Sequence, residues 1–229
     1  RQAVYHAIDI EALRSRIMRG SALPTGGITP SITASNPDAE KRLPYDMNRA
    51  KQLLAEAGYA SGFDVTLDCP NNRYVNDAKV AQAVAQMLSR IDIKVKLNAQ
   101  PKAKYFQKVL ATSKYDSSFS LLGWTPGSLD SWNILENIIG CRDADGKGAA
   151  FNLGGWCHPR ITELNKLILV ESDTKKRDEL IAEAFRINHE EVGLIPLHQQ
   201  SLIWGVSKKV EQMVLRADNQ ILFYLTKMQ

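Results

Sequence analysis

Long apolar runs and runs of one charge sign are both missing from this sequence of 229 residues. No stretch approaches the roughly 20 consecutive apolar residues that a helix needs to cross a bilayer, so no transmembrane span is expected. The 29 basic and 25 acidic residues are interspersed, and the net charge of +4 therefore does not indicate a nucleic-acid partner. The 44% share of apolar residues is typical of a globular domain with a sizeable core.

Motifs for nucleotide binding and for nucleophilic catalysis are also absent. Gly26-Gly27 has neither the preceding strand nor the following lysine of a phosphate-binding loop. The 4 histidines lie apart, and none stands near a serine elbow or a cysteine-centred nucleophile motif. We therefore expect no cofactor and no enzymatic activity.

Cysteine is scarce, with 3 residues, of which Cys141 and Cys157 bracket a glycine-rich, polar segment. A disulfide between them would close a loop of about 15 residues, worth ~3 kcal/mol on the chain-entropy model, and would imply export. Two unpaired thiols are the alternative. A further alternative is a metal- or thiol-dependent enzyme that uses Cys141, Cys157 and His158, although no ligand pair has zinc-finger spacing.

The first half of the sequence predicts a βαβ unit. Phe63 to Cys69 alternates like a strand, a helix follows, and Lys94 to Asn98 is the next strand. Strand, helix and strand within about 35 residues have the length of a crossover, so the two strands are expected to be parallel, with the helix on the face of their sheet. A helix over Pro101 to Ser113 and a strand over Ser118 to Trp124 repeat this rhythm, and the predicted fold class is α/β.

Helices are predicted on both sides of this unit from capping residues and one-sided apolar spacing. Proline and glycine interrupt the pattern from Ser21 to Pro44, which predicts a loop without helix or strand. The last two helices are expected to pair, with Ile161, Leu164, Leu167 and Ile168 pointing inward from the first. The predicted helices cover Gln2 to Ile8, Ile10 to Arg19 with Asp9 as cap, and Asp46 to Gly58, and others start at Asn76 or Asp77, at Pro159 and at Thr174.

The end of the sequence departs from this rhythm. From Leu194 to Leu225 it contains strand-like pieces at 194–198, 201–206 and 221–225 without crossover helices. One domain with an extended tail is the simplest division.

Four segments resemble, in order and spacing, one protein family. Similar segments occur in the same order in the extracytoplasmic solute-binding proteins of family 5, the peptide, dipeptide and nickel type of ABC importer component. In this sequence they are RQAVYHAIDIEAL, PYDMNRAKQLLAEAGYASGFDVTL, VAQAVAQMLSRIDIKVKL and YDSSFSLLGW. Each segment alone is a weak signal, whereas all of them together are hard to obtain by chance. The resemblance implies a periplasmic-binding-protein-like lobe with a mixed, mostly parallel sheet flanked by helices.

The same resemblance predicts the domain organisation and the partners. Family members have two lobes joined by a hinge, with the ligand between them. Residues 1–200 are then the second, carboxy-terminal lobe, and residues 201–229 are a tail that returns to a first, amino-terminal lobe outside this chain. The implied ligand is a small peptide or peptide-like solute, the implied partners are ABC permease subunits in the membrane, and the implied location is the periplasm.

The first candidate site is the loop after the first predicted strand, because ligands of open α/β sheets bind beyond the carboxyl ends of strands. This loop contains Asn72, Arg73 and Tyr74 and leads into a helix start. The guanidinium fork and the N–H groups of the helix start suit a carboxylate, and in dipeptide-binding relatives an arginine here resembles the carboxylate anchor. Alternatively, Arg73 pairs with Asp68 or Asp77 at the surface and Tyr74 packs on the lobe.

The second candidate site is the loop that contains Trp124. The resemblance places its indole against the ligand, where an aromatic plate would hold varied side chains; a core role is the alternative. In peptide-binding relatives a carboxylate three residues further on receives the amino terminus of the ligand, but this sequence has Gly127 there. Asp130 either substitutes for that acid or caps the next helix.

The departure at Gly127 leaves the ligand open. Because no acid stands there to receive a free α-amino group, a modified peptide, an opine-like compound or another small amphiphile is expected rather than an ordinary dipeptide. His198 follows the strand-like residues 194–198 and is a further candidate for the cleft.

Overall fold

The structure is a computed structural model that describes residues 1–29, 33, 35–110, 116–143, 148–216 and 218–229. Its elements follow the predicted α/β order. The helices are α1 (Gln2–His6), α2 (Ile10–Ala12), α3 (Met47–Glu56), α4 (Asp77–Leu88), α5 (Lys102–Val109), α6 (Trp132–Ile134), α7 (Pro159–Val170) and α8 (Thr174–Glu191). The strands are β1 (Ala22–Pro24), β2 (Phe63–Pro70), β3 (Ile93–Gln100), β4 (His198–Gln200), β5 (Val210–Gln212) and β6 (Lys227–Met228).

The predicted βαβ unit lies at the centre of the first core. Strands β2 and β3 pair in parallel from Phe63 opposite Ile93 to Pro70 opposite Gln100. Helix α4 covers one face of this pair, because its apolar residues recur every three or four positions and point to one side. The core there consists of residues from β2, α4 and β3 together with α1 and α3, among them Leu67, Cys69, Ala81, Val84, Leu88 and Ile93.

The predicted third strand, Ser118 to Trp124, is wrong as a strand. Only one parallel bridge forms, in which Asp68 donates its N–H to the Phe119 carbonyl and accepts the N–H of Leu121, both at 2.9 Å. The segment then leaves the sheet because a side chain replaces the strand partner: the Tyr105 hydroxyl donates to the Leu121 carbonyl at 2.7 Å.

The helix starts follow the predicted caps, but three helices end earlier than predicted. Helix α1 ends at His6 instead of Ile8, α5 ends at Val109 instead of Ser113, which lies outside the described residues, and α2 ends at Ala12. Asp9 accepts the N–H of Ala12, and Asp46 accepts that of Arg49, both at 2.9 Å. After α2 the chain widens into a π-helical turn over Leu13–Ile17, so the predicted α-helix from Ile10 to Arg19 is wrong in its second half. Gly58, with φ of +83°, ends α3 as expected.

Residues 21–44 contain a strand that the sequence pattern did not predict. Strand β1 pairs antiparallel with β4, with Ala22 opposite Gln200 and Pro24 opposite His198. A guanidinium holds the same two segments together, because Arg42 donates to the carbonyl oxygens of Thr25, Pro196 and Leu197. Neither segment has a local partner, so a window of local sequence could not reveal the pairing.

The helices α7 and α8 pack on a second core, as predicted. Ile161, Leu164 and Ile168 of α7 are fully buried there, whereas Leu167 is 40% exposed, so its predicted inward position is wrong. The π-helical turn Leu135–Ile139, which follows α6, contributes the facing side.

The tail is less regular than its strand-like pieces predicted. Residues 201–206 form no strand, and a 3-10 turn occupies Phe223–Leu225 instead of the expected strand. Among the described residues, strands β5 and β6 form a two-stranded sheet of their own. Large apolar side chains remain exposed along this part of the chain, namely Leu202, Ile203, Trp204, Val206, Phe223, Tyr224, Leu225 and Met228.

Candidate ligand-binding site

The loop after β2 lies at the carboxyl end of the parallel strands and is fixed to the neighbouring strand and helix. Asn71 donates its N–H to the carbonyl of Gln100 at 2.9 Å. The side-chain oxygen of Asn72 accepts the N–H of Lys102 at 2.8 Å, at the start of α5. Asn72 is exposed, but its side-chain oxygen already has a donor.

A buried carboxylate shapes the rest of this loop. Asp77, only 4% exposed, accepts the N–H groups of Arg73 at 2.9 Å and Tyr74 at 3.1 Å through one oxygen. Its other oxygen accepts the N–H of Ala78 at 2.8 Å. Asp77 therefore engages a helix-start N–H group that we expected a ligand to use. The sequence indicated Asp77 as a possible helix start and as a possible surface partner of Arg73, but not as the acceptor of these N–H groups.

No carboxylate of the described residues forms an ion pair with the guanidinium of Arg73. The guanidinium lies 5.1 Å from the centre of the Tyr74 ring, in cation–π contact, and Arg73 is exposed. The expected alternative pairing is absent among the residues described, because Asp77 binds backbone N–H groups and Asp68 is bound by Lys108 at 2.8 Å. The charged guanidinium group of Arg73 is thus exposed beyond the carboxyl ends of β2 and β3.

The tyrosine beneath this arginine joins the two predicted loops. The Tyr74 hydroxyl donates to the carbonyl of Gly123 at 3.1 Å. A Cβ atom at Gly123 would lie 2.8 Å from a ring carbon of Tyr74, so this position has no room for a side chain. Burial raises the pKa of Tyr74, although the hydrogen bond to Gly123 and the charge of Arg73 oppose that shift. The hydroxyl therefore remains a donor at neutral pH.

Trp124 follows directly and is half-buried. Its indole N–H donates to the side-chain oxygen of Asn133 at 2.9 Å, and its ring centre lies 4.7 Å from that of Phe151 at an angle of 60°. The Trp124 indole is thus held by Phe151 and Asn133 of the same chain. The sequence gave no signal that Phe151 belongs to this group, because it lies 27 positions further along the chain, within the loop between the two cysteines.

The two positions considered for an amino group differ in their surroundings. Gly127 is exposed, and a Cβ atom there would meet nothing within 4 Å. The carboxylate of Asp130 is engaged by Arg177 at 3.0 Å and by the N–H of Trp132 at 2.8 Å. Asp130 thus accepts the first N–H of α6, while Ser131 occupies the N-cap position.

His198 lies beside this region on strand β4. On the same strand, the side-chain oxygen of Gln200 accepts the N–H of Val75 at 3.3 Å, which brings β4 against the loop of Arg73. Burial lowers the pKa of His198, and the positive charge of Arg42 lowers it further. Its Nδ1 atom is buried without a hydrogen-bond partner.

The cysteines confirm the predicted crosslink. Cys141 and Cys157 form a disulfide with their Cα atoms 4.7 Å apart, so the alternative of two unpaired thiols is wrong and neither sulfur is a free metal ligand. Across the described part of the chain, no group of three His, Cys, Asp or Glu side chains could hold a metal ion. Cys69 is free and fully buried, and burial followed by the charges of Asp77 and Asp68 raises its pKa to about 11.

In the part of the chain that the structure describes, none of the helices combines the length and the apolar character required to cross a membrane.

Comparison with known proteins shows similarity to one family and to individual proteins that bind dipeptides. The family model of bacterial extracellular solute-binding proteins, family 5 Middle, matches residues 1–146. The dipeptide-binding protein of Pseudomonas aeruginosa is 28% identical over 228 residues, which are 98% of this chain and 41% of that protein. The chain thus spans about two fifths of the length of the curated relatives it matches.

Solved structures show the same similarity in three dimensions. The dipeptide binding protein from Pseudoalteromonas sp. SM9913, in complex with Met-Leu, has a TM-score of 0.80 and 26% identity, and the match covers 100% of this chain and 44% of that one. The ABC transporter-associated periplasmic binding protein DppA from Helicobacter pylori, in complex with the peptide STSA, has a TM-score of 0.76 and 25% identity over 86% of this chain and 37% of that one.

Proposed function

The chain belongs to the bacterial extracellular solute-binding proteins of family 5, and from this premise we propose that it forms one wall of a cleft that captures an oligopeptide or peptide-like solute for an ABC importer. Two similar structures are described as complexes with Met-Leu and with the peptide STSA. The family consists of solute-binding proteins, which favours binding over the enzyme that we considered as an alternative.

The observation that carries this proposal is the free guanidinium of Arg73 at the strand ends. Arg73 is exposed and lies over the ring of Tyr74, a contact that restricts its rotamers. A planar fork of this kind binds a carboxylate through two parallel hydrogen bonds. Arg73 would therefore bind the terminal carboxylate of the ligand, with Asn72 and Tyr74 at the edge of the same subsite.

Trp124 would be the second ligand contact on this wall. It packs on the second core and contacts Phe151, and its indole N–H is bonded to Asn133, but it is only half-buried. Its exposed part would contact apolar side chains of the ligand. The hydrogen bond between Tyr74 and Gly123 sets the distance between Trp124 and Arg73. His198, on the strand next to the Arg73 loop, is proposed to line the cleft as well.

The surroundings of Gly127 bear on the class of ligand. Gly127 offers no side chain to a ligand ammonium group, and the carboxylate of Asp130 is shared with Arg177. Asp130 could accept an ammonium group only in competition with that arginine. A ligand with a blocked or absent α-amino group, such as a modified peptide or an opine-like compound, suits this arrangement better than an ordinary dipeptide.

The second wall of the cleft is proposed to come from a first lobe outside this chain. Residues 1–200 would then be the second lobe, and residues 201–229 would contact the first. The exposed apolar side chains of the tail support this division, since Ile203 and Tyr224 are each 80% exposed and Phe223 is 76% exposed. Exposed apolar groups of this size generally mark an interaction surface.

In operation, the ligand would dock on one lobe, and hinge closure would bury it under the other. ABC permease subunits in the membrane would then recognise the closed form. The disulfide between Cys141 and Cys157 supports a periplasmic location, because such crosslinks persist in oxidising compartments.

Isothermal titration calorimetry on the full-length protein tests the role of Arg73. Met-Leu, its carboxy-terminal amide and N-acetyl-Met-Leu serve as probes, the last because the site suits a blocked amino group, with Arg73→Ala and the exposed Arg90→Ala as matched variants. Loss of a charged hydrogen-bond partner typically weakens binding by about 10- to 100-fold. We expect that loss for Met-Leu with Arg73→Ala, a similar loss for the amide with the unsubstituted protein, and no change with Arg90→Ala.

Two results would contradict the proposal. Equal affinity of Arg73→Ala and the unsubstituted protein for Met-Leu would remove the carboxylate anchor. Submicromolar binding by the isolated chain of residues 1–229 would contradict the two-lobe cleft, because a single wall leaves most of the ligand surface in water.

A further inference from the structure

The aromatic ring of Phe151 contacts the Trp124 indole, and both rings pack on the second core. The two ring centres are 4.7 Å apart and the planes are inclined by 60°, a geometry that favours aromatic attraction. The bond from the indole N–H to Asn133 fixes one edge of Trp124 but leaves rotation about that bond possible. Contact with Phe151 removes this freedom.

Phe151 is held by the same helical segment that holds Trp124. The N–H of Phe151 donates to the carbonyl of Asn137 at 2.9 Å. The side chain of Asn137 donates in turn to the carbonyl of Asn133 at 2.8 Å, one turn earlier. Trp124 and Phe151 are therefore positioned from one short stretch of chain.

The loop that presents Phe151 is closed at both ends. The disulfide joins Cys141 to Cys157. Next to it, the amide nitrogen of Asn152, a residue only 3% exposed, donates to the carbonyl of Gly140 at 2.9 Å and to that of Trp156 at 2.6 Å. A covalent bond and a buried amide thus hold the two ends of the loop together beside Phe151.

From this arrangement we propose that Phe151 is a positioning residue for Trp124, and that the Cys141–Cys157 disulfide supports ligand binding by holding the loop that presents Phe151. The proposal rests on the proposed function and adds to it a residue that determines how the site accepts apolar side chains. A loosened Phe151 would let the indole turn, which would weaken contact with an apolar ligand side chain. Contact with the ligand carboxylate, at Arg73, would not change.

A double-mutant cycle on the full-length protein tests this inference. Met-Leu and Gly-Gly are titrated calorimetrically into the unsubstituted protein, Phe151→Leu, Trp124→Ala and the double variant. Aromatic pairs contribute an amount that corresponds to about two- to tenfold in affinity. We expect Phe151→Leu to weaken Met-Leu by that factor, to leave Gly-Gly within about twofold, and to have no further effect once Trp124 is replaced.

Two matched variants separate positioning from general stability. Phe106→Leu removes another half-buried ring, which contacts Tyr105 at 5.0 Å, and should leave the affinity for Met-Leu unchanged. Cys141→Ser combined with Cys157→Ser should weaken Met-Leu in the same direction as Phe151→Leu. Equal weakening by Phe151→Leu with and without Trp124 would overturn the proposal, since it would show a purely structural role.

A measurement without ligand keeps the inference separate from the proposed function. In protein labelled with 5-fluorotryptophan, the fluorine resonance of Trp124 is assigned by its loss in Trp124→Phe. Phe151→Leu should shift that resonance, and an unchanged resonance would overturn the positioning role. A shifted resonance in a protein that binds neither Met-Leu nor Gly-Gly would support the positioning role and count against peptide capture alone.

Discussion

The ring of Tyr74 lies against the backbone of Gly123, and its hydroxyl donates a hydrogen bond to the Gly123 carbonyl oxygen at 3.1 Å. The two residues are separated by 49 positions in the sequence. Because Arg73 precedes the tyrosine and Trp124 follows the glycine, this one contact sets the spacing of the two proposed ligand contacts.

Gly123→Ala should lower the free energy of unfolding, because the added Cβ would lie 2.8 Å from the Tyr74 ring. Overpacking of this kind costs about 1–3 kcal/mol. Gly127→Ala is the matched control, since nothing lies within 4 Å of a Cβ there, and it should change stability by less than about 0.5 kcal/mol. Urea denaturation measures both. Equal stability of the two variants would contradict the close approach.

Lys108→Met should destabilise the protein through Asp68. Asp68 is only 2% exposed and accepts hydrogen bonds from Lys108 at 2.8 and 2.9 Å. Breaking a buried pair costs about 3–5 kcal/mol, and the side chain of Lys108 keeps 28% of its surface exposed, so a value near the lower end is expected. Lys104→Met, at an exposed position of the same helix, is the control and should be nearly neutral. Thermal or urea unfolding that fails to distinguish the two would contradict the role of the pair.

Alkylation followed by intact-mass measurement should resolve three states of the cysteines. The folded protein at about pH 8 should take up no iodoacetamide, because Cys69 is fully buried and burial raises its pKa to about 11. Unfolding without reductant should allow one modification, and unfolding with reductant should allow three, since Cys141 and Cys157 are crosslinked. Three modifications without reductant would contradict the disulfide.

Stability should fall on acidification, in part through His198. Burial, aided by the charge of Arg42, lowers the pKa of His198 below its ordinary value of 6.5 in the folded protein. The unfolded chain therefore binds the proton first as the pH falls below that value, and the folded state loses stability from there down to the lowered pKa. His198→Asn should reduce the difference between free energies of unfolding at about pH 7.5 and about pH 5.5. An undiminished difference would show that His198 does not carry it.

The local parts of the fold were predictable from sequence. The strand Phe63–Pro70, the helix Asp77–Leu88 and the strand Ile93–Gln100 combine strong periodicity with short connections, and these signals lie within one stretch of chain. The caps Asp9 and Asp46 were predictable for the same reason.

The wrong prediction of a third strand and the missed pairing of β1 with β4 have a common physical cause. The segment from Ser118 to Trp124 has the apolar content of a strand, but hydroxyl donors from Tyr105 and Tyr74 take the carbonyls of Leu121 and Gly123 in place of a strand partner. Such competition depends on residues that are distant in sequence. The pairing of Ala22–Pro24 with His198–Gln200 was invisible for the same reason.

The two loops of the candidate site were predictable from sequence, but the residues that hold these loops in place were not. The strand-end rule located Arg73 and Trp124 from sequence, and the structure brings their loops together through Tyr74 and Gly123. The roles of Asp77 and Phe151 depend on contacts that no sequence pattern specifies. The assignment of ligand contacts itself stays a prediction until the titrations are made.

The pairing of β1 with β4 has a consequence for how the chain reaches its native state. Ala22 meets Gln200 across nearly the whole chain, so this contact closes a very large loop and carries a high entropic cost before it forms. The βαβ unit has no such cost. In pulsed hydrogen exchange, amides of Asp77–Leu88 should gain protection early in refolding, whereas the N–H groups that join β1 to β4 should gain it last.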